Sequence, residues 1–184
     1  MRAFLNWPNV LSAIRILLTP VFVWLFFGTP QMQILSIIVF IIAAITDAYD
    51  GYIARKRKIS TSVGAFLDPM ADKILILTTF AVFAYITFIG WWVVFVFAFR
   101  DLLITWLRTI LIKRGSSLVT SKIAKYKTVL QFISISLLFV NMLLHNAGYQ
   151  FIYIDYFVRY FVYLVAAFSL YTGLDYLKPF FKKN

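Results

Sequence analysis

An all-α polytopic membrane protein is the fold this sequence predicts, and three observations predict it. Of 184 residues, 62% are hydrophobic and 14% charged, against roughly 45–50% and 25% in an ordinary soluble domain. The apolar residues gather into six blocks, each near the ~20 residues that a membrane-spanning helix requires. The alternating ten-residue segments of a transmembrane β-barrel do not occur. Six blocks leave almost no chain for a second soluble domain or a long disordered tail, so residues 1–184 are expected to form a single integral-membrane domain.

The first span is expected over Val10–Phe27. It follows Met1-Arg2 as a signal peptide would, but no small-x-small cleavage site comes after it and Arg15 interrupts it, so it is read as a retained helix. The second span, Ile34–Tyr52, runs into a cluster of aspartates and then into Arg55, Lys56, Arg57 and Lys58. The third, Asp68–Ile89, opens on Asp68-Pro69, which by themselves read as an N-cap and a first-turn proline. The fourth, Trp91–Leu111, begins with two tryptophans that, like Trp7, suit a membrane–water interface. The fifth, Thr128–His145, follows Lys122, Lys125 and Lys127, and the sixth, Phe157–Leu177, leads into Lys178, Lys182 and Lys183.

Eighteen Lys and Arg against seven acids give a net charge of +11. An excess of that size has three readings: nucleic acid, anionic lipid or topology. Position decides, because the connections after spans one, three and five carry no Lys or Arg. Short basic loops stay cytoplasmic, so six spans with both termini in the cytosol are predicted, and no nucleic-acid partner is. The same cations draw the inner face toward anionic head groups, at about 1 kcal/mol each. Cysteine is absent, which excludes disulfides and thiolate metal sites.

Arg15, Arg100, Asp101 and Arg108 lie inside apolar blocks. A charge there costs at least ~2.5–3.5 kcal/mol and is normally paired or lines a polar cavity. A cytosol-facing polar cavity among the helices is therefore expected, with Arg100 and Asp101 pairing or snorkelling as the simpler account of those two.

All seven acids are Asp, and four of them, Asp47, Asp50, Asp68 and Asp72, fall where span two leads into span three. If span two continues as a helix through Arg55, then Asp47, Asp50, Gly51 and Ala54 stand at i, i+3, i+4 and i+7, on one face. Asp68 and Asp72, at i and i+4, likewise share a face. Four carboxylates brought together repel unless something neutralises them. Oxygen-only ligation suits two hard divalent cations, Mg²⁺ or Mn²⁺, rather than zinc. A two-metal site about 3.5–4 Å across is suited to holding phosphate and activating an oxygen nucleophile. Small residues at 51 and 54 would let a nucleotide or pyrophosphate approach the backbone, and Arg55 offers a planar fork to a phosphate. Capping accounts for Asp68-Pro69 and topology for Arg55 to Lys58, but neither accounts for Asp47, Asp50 and Asp72 at helical spacing around small residues.

Written out, the segment is Asp47-x2-Asp50-Gly51-x2-Ala54-Arg55-x8-Gly64-x3-Asp68-x3-Asp72. It resembles the complete signature of the CDP-alcohol phosphotransferase family at all eight positions. The opening Pro8-Asn9-x-Leu11-Ser12-x2-Arg15 and the later Lys125-x-Lys127-Thr128-x2-Gln131 are similar to the branch that makes phosphatidylglycerophosphate, a bacterial membrane enzyme. The resemblance implies displacement at the β-phosphorus of CDP-diacylglycerol by a hydroxyl of sn-glycerol 3-phosphate, with release of CMP. It implies that Asp47, Asp50, Asp68 and Asp72 hold the two metals and that Asp72 also takes the acceptor's proton. It assigns Gly51, Ala54, Arg55 and Gly64 to the CDP moiety, and it implies a homodimer in membrane lipid.

Glycerol 3-phosphate carries a phosphate remote from its reacting hydroxyl. Arg108, Lys125 and Lys127, near the cytosolic ends of spans four and five, are the candidates to meet it. Phosphatidylserine and cardiolipin synthases share the signature and remain the alternatives for the acceptor. A cation transporter or channel is disfavoured, because its carboxylates would spread through the membrane thickness rather than collect at one end.

Overall fold

The structure, a computed structural model, describes residues 7–57, 64–113 and 122–175, and the side chains of 14–46, 73–107 and 126–173. The described residues form six α-helices and no strand: α1 (Trp7–Phe26), α2 (Pro30–Arg57), α3 (Gly64–Tyr85), α4 (Trp91–Lys113), α5 (Lys122–Asn146) and α6 (Ile152–Asp175). Each coincides with an expected span, but most are longer. Hydropathy marks only the part of a helix that suits lipid, whereas the backbone bonds continue into polar turns. Thus α2 runs to Arg57, α5 starts at Lys122 and α6 starts at Ile152.

Two helices are long and apolar enough by themselves to cross a membrane, over Tyr126–Asn146 and Ile152–Gly173, and shorter apolar stretches fill Ile14–Phe26, Pro30–Thr46 and Lys73–Tyr85. Large apolar side chains are exposed and polar ones are buried beside an apolar core. Leu17, Trp24, Phe95, Leu102 and Leu164 face outward, while Arg15, Ser36, Thr79, Gln131, Ser134, Ser169 and Thr172 are buried. Outward leucines cost nothing in lipid, and several of the buried hydroxyls donate to backbone carbonyls of their own helix, among them Ser36, Thr79, Ser134 and Thr172.

The chain divides into two compact units, 1–79 and 80–184, and the division falls within α3. In the first, α1 and α2 form a helical hairpin. Gly28 closes the turn, where a Cβ would run into Met32. Thr29 stands before Pro30, the first residue of α2, and its hydroxyl accepts from the amide of Met32 at 3.5 Å. That is an N-cap followed by a proline at the position where a missing N–H costs no helical bond. Phe22 joins the helices by ring contacts to Phe26 in α1 and Phe40 in α2, at 6.0 and 6.1 Å between centroids.

In the second unit α6 packs on both α4 and α5. Phe80 meets Phe97 of α4 at 4.8 Å and Phe83 meets Phe139 of α5 at 5.6 Å. The α5–α6 turn is pinned by Asp155, whose Oδ1 lies 2.8 Å from the donating Asn141 Nδ2 and 2.9 Å from His145 Nε2. Helices α3 and α5 end in the same way. The amides of Thr87 and Phe88 donate to the carbonyls of Ala84 and Phe83, and those of Gly148 and Tyr149 to His145 and Leu144, all at 2.9–3.0 Å. This double closure needs a left-handed residue at the pivot. Gly148 supplies it at φ 83°, whereas Thr87, at φ 63°, does so with a β-branched side chain. The turn at Thr87 also ends α3 at Tyr85, short of the expected Ile89.

Candidate active site

Helix α2 is continuous from Pro30 to Arg57, which is the condition on which the face shared by Asp47, Asp50, Gly51 and Ala54 depended. Arg55 follows on the same helix. The positions therefore keep their i, i+3, i+4, i+7 register. Gly64 is the first residue of α3, and Asp68 and Asp72 follow within it, one turn apart. The side chains of these residues, like those of Arg108 in α4 and Lys125 in α5, lie outside the described residues.

One expectation is corrected by the backbone. Asp68-Pro69 is not an N-cap and first-turn pair, because α3 begins at Gly64 and Asp68 is its fifth residue. Pro69 thus falls in the second turn, where its missing N–H leaves the Ala65 carbonyl without the amide a regular helix would bring to it. A carboxylate that is not needed to cap a helix is left without that structural reason for its position.

Arg15 is fully buried, and its Nε donates to the carbonyl of Ala43 at 3.3 Å. In a regular helix that carbonyl also accepts the amide of residue 47. The guanidinium of α1 is therefore fixed one turn before the first aspartate of the signature. Thr19 Oγ1 donates back to the Arg15 carbonyl at 2.9 Å, and Thr46 Oγ1 reaches the Ala43 carbonyl at 2.8 Å. The sequence marked Arg15 as a charge in an apolar block; its partner in α2 could not be read from spacing.

In the second unit, Arg100 and Asp101 of α4 pair at 3.0 Å, as expected of adjacent charges in an apolar block. They do not pair alone. Lys127 of α5 donates to both oxygens of Asp101, at 2.8 and 2.9 Å, and its ammonium stands 5.9 Å from the ring of Phe97. Arg100 reaches α6 as well, its Nη2 lying 3.5 Å from Thr172 Oγ1, which donates to the Ser169 carbonyl at 2.8 Å. All of these residues are buried. Of the three cations considered for the acceptor's phosphate, Lys127 is thus the one whose surroundings are described, and it is held by Asp101.

Sequence reasoning missed the polar side of α6. Ser169 and Thr172 are small and isolated in an apolar span, and Gly173 stands where a Cβ would come 3.2 Å from Arg100 Cγ. A spacing of small residues at 169 and 173 was the available signal, since it permits close helix approach in lipid.

The CDP-diacylglycerol--glycerol-3-phosphate 3-phosphatidyltransferase of Rickettsia bellii is 33% identical over 174 residues, 94% of each chain. Its counterpart in Bacillus subtilis is 31% identical over 192 aligned positions, covering 97% of this chain and 95% of that one. The protein of the same name from Cereibacter sphaeroides is 34% identical over 144 residues, which cover 74% of this chain and 65% of that relative. The sequence model of the CDP-alcohol phosphatidyltransferase family matches residues 5–171, both units included, and the chain belongs to that family.

Proposed function

We propose that this protein transfers a phosphatidyl group from CDP-diacylglycerol to sn-glycerol 3-phosphate, giving phosphatidylglycerophosphate and CMP. The observation that carries the reading is the eight-position signature set on two uninterrupted helices, α2 and α3. Relatives of the same name, matched over most of the chain, support the choice of acceptor. The protein works in the bacterial cell membrane as six spans, with both termini and the active cavity on the cytosolic side.

The donor set fits two hard divalent cations. It consists of carboxylates alone, and the unbroken register of α2 and α3 puts them in pairs at i, i+3 and i, i+4. Asp47, Asp50, Asp68 and Asp72 would hold Mg²⁺ or Mn²⁺, which when bound supplies charge to offset the donor's pyrophosphate and the departing CMP. The chain's own residues do the rest. Gly51, Ala54 and Gly64 leave room for the CDP moiety against backbone, and Arg55 answers a phosphate with its planar fork. Asp72 takes the proton of the acceptor's hydroxyl as that oxygen bonds to the phosphatidyl phosphorus and the bond to CMP breaks. Arg108, Lys125 and Lys127 meet the acceptor's phosphate. Outward-facing apolar side chains meet lipid and, in a homodimer, a second copy.

Product identification tests the reading. Purified enzyme given CDP-diacylglycerol and Mg²⁺ is offered labelled glycerol 3-phosphate, serine or phosphatidylglycerol in turn. Label is expected in phosphatidylglycerophosphate alone; phosphatidylserine or cardiolipin as the major product would replace the acceptor while leaving the reaction class in place.

A further inference from the structure

The turn between α3 and α4 lies about 25 Å along α3 from Asp68, and beside it stands a cation that the proposed reaction does not use. Arg159 is two turns into α6. Its guanidinium carbon is 5.5 Å from the centre of the Phe88 ring in that turn, and the same ring meets the His145 ring edge to face at 6.5 Å.

Neither pairing nor topology accounts for this charge. Asp155, four residues earlier on α6, is placed to neutralise it, but its Oδ1 takes Asn141 Nδ2 and His145 Nε2 of α5 at 2.8 and 2.9 Å and makes no ion pair with Arg159. No hydrogen bond or ion pair joins Arg159 to another described residue, and its Nε is buried without a partner. On the six-span reading this end faces away from the cytosol, where the connections carry no Lys or Arg. The face of Phe88 attracts the cation, but a ring offers none of the oxygen acceptors that five N–H donors require.

The direction of the arm limits what can supply those acceptors. Side chains on a helix lean toward its N-terminus, and the contact with Phe88 shows that this guanidinium does reach the turns at that end. An arginine about 10 Å inside a spanning helix can bring its head to the level of lipid phosphates. Tyr156, one turn before Arg159, stacks on Tyr160 at 6.3 Å, and both are exposed, as are Tyr153 and Phe157. Exposed tyrosines suit the head-group layer, where the ring meets acyl chains and the hydroxyl meets water or phosphate.

We infer that Arg159 holds the phosphate of an anionic phospholipid at the N-terminal end of α6, in a site beside Phe88 and apart from the signature. A phosphodiester gives the planar guanidinium two oxygens, and a head group without an ammonium adds no charge to repel it. Asp155, held by α5, leaves the guanidinium to the lipid. The inference rests on the reading of α6 as membrane-spanning, and the experiment separates the two.

Native mass spectrometry of the full chain in detergent counts bound lipid as phosphatidylglycerol or phosphatidylcholine is titrated in. Wild type should take up one phosphatidylglycerol more than Arg159→Gln does, the affinity at that site falling about tenfold in the variant. Arg159→Lys, which keeps the charge without the fork, should fall between them. Inorganic phosphate should not displace the lipid, because it lacks the acyl chains that the exposed rings meet; displacement would make this a site for a free anion and overturn the lipid. Equal uptake by wild type and both variants overturns the inference and leaves α6 a membrane helix. An equal gain from phosphatidylcholine overturns the choice of an anionic lipid. A wild-type chain that takes up neither lipid overturns the reading of α6 itself. If Arg159→Gln does not fold, Arg159→Lys decides alone: weaker uptake supports the site, and unchanged uptake overturns it.

Discussion

Arg15 Nε in α1 donates to the Ala43 carbonyl in α2 at 3.3 Å, one helical turn before Asp47. A guanidinium fully buried at that point does two things at once. It ties the hairpin together, and it places a permanent positive charge beside the helix that carries the signature. The cation sits in a locally polar patch: Thr46 Oγ1 donates to the same Ala43 carbonyl that accepts from Arg15, and Thr19 Oγ1 donates to the Arg15 carbonyl.

Replacing Arg15 by Ala should therefore lower both stability and turnover. Loss of a hydrogen bond to a charged group corresponds to about 1.5–3 kcal/mol, before the cavity left by the long side chain is counted. Lysine keeps the charge but lacks the fork, and is expected to recover only part of the effect. Thermal unfolding in detergent alongside CMP release checks this, and an Arg15→Ala protein as stable and active as wild type would remove the role.

The aspartates proposed to hold the metals call for the opposite pattern. Asp47→Ala, Asp50→Ala and Asp68→Ala should each abolish CMP release, and chelation should do so reversibly. Without metal these variants are expected to melt no lower than wild type, since removing one of several crowded carboxylates relieves repulsion. Activity persisting after the loss of two of the aspartates would end the two-metal account.

The sequence carried the helices and the signature well, and the reasons differ. Helix positions follow from apolar blocks whose length matches a bilayer, and a spacing of three, four and seven along one segment needs no knowledge of its neighbours. Helix ends were less legible: α3 begins at Gly64 rather than Asp68, so Pro69 lies in its second turn and not, as its preference for a first turn suggests, at the start. Contacts between segments far apart in the chain were not legible at all. Nothing in the spacing joins Lys127 to Asp101, or Arg100 to Thr172, since those pairs arise only when α4, α5 and α6 pack.

Thr87 offers a test confined to the backbone. It occupies the left-handed pivot that Gly148 fills in the equivalent turn after α5, and a β-branched residue there is strained by roughly 1–2 kcal/mol. Thr87→Gly loses only a short-range bond to the Ile86 carbonyl and should raise the melting temperature by roughly 2–4 °C, the shift about 1 kcal/mol gives a chain of this size. Gly148→Thr should lower it comparably. Turnover should be unaffected by either change.

Topology follows from the cations. Reporter fusions after Gly28 and Gly90, in connections without Lys or Arg, should report from outside the cytosol, and fusions at Arg57 and Lys122 from within it. Cytosolic signals at both glycines would be incompatible with six spans.

The last prediction concerns Arg108. Helix α4 is unbroken from Trp91 to Lys113, so Arg108, seven residues after Asp101, falls on the same face two turns nearer the helix's C-terminal end. That face already contributes the carboxylate which holds Lys127. A phosphate drawn toward the Asp101–Lys127 pair from the cytosolic side would pass the turn that carries Arg108. An arginine there costs at least ~2.5–3.5 kcal/mol if it serves no purpose, and topology does not require it, since the loop cations beyond α4 already set the orientation. Arg108→Ala is accordingly expected to reduce kcat/KM for glycerol 3-phosphate by roughly tenfold to a hundredfold, the range that about 1.5–3 kcal/mol for a charge-assisted contact covers. The KM for CDP-diacylglycerol should change little, because the site proposed for that donor is the signature on α2 and α3. Kinetics with each substrate varied separately distinguish the outcomes. An unchanged acceptor dependence would remove the phosphate role of this face of α4, and an equal loss toward both substrates would make Arg108 part of the scaffold instead.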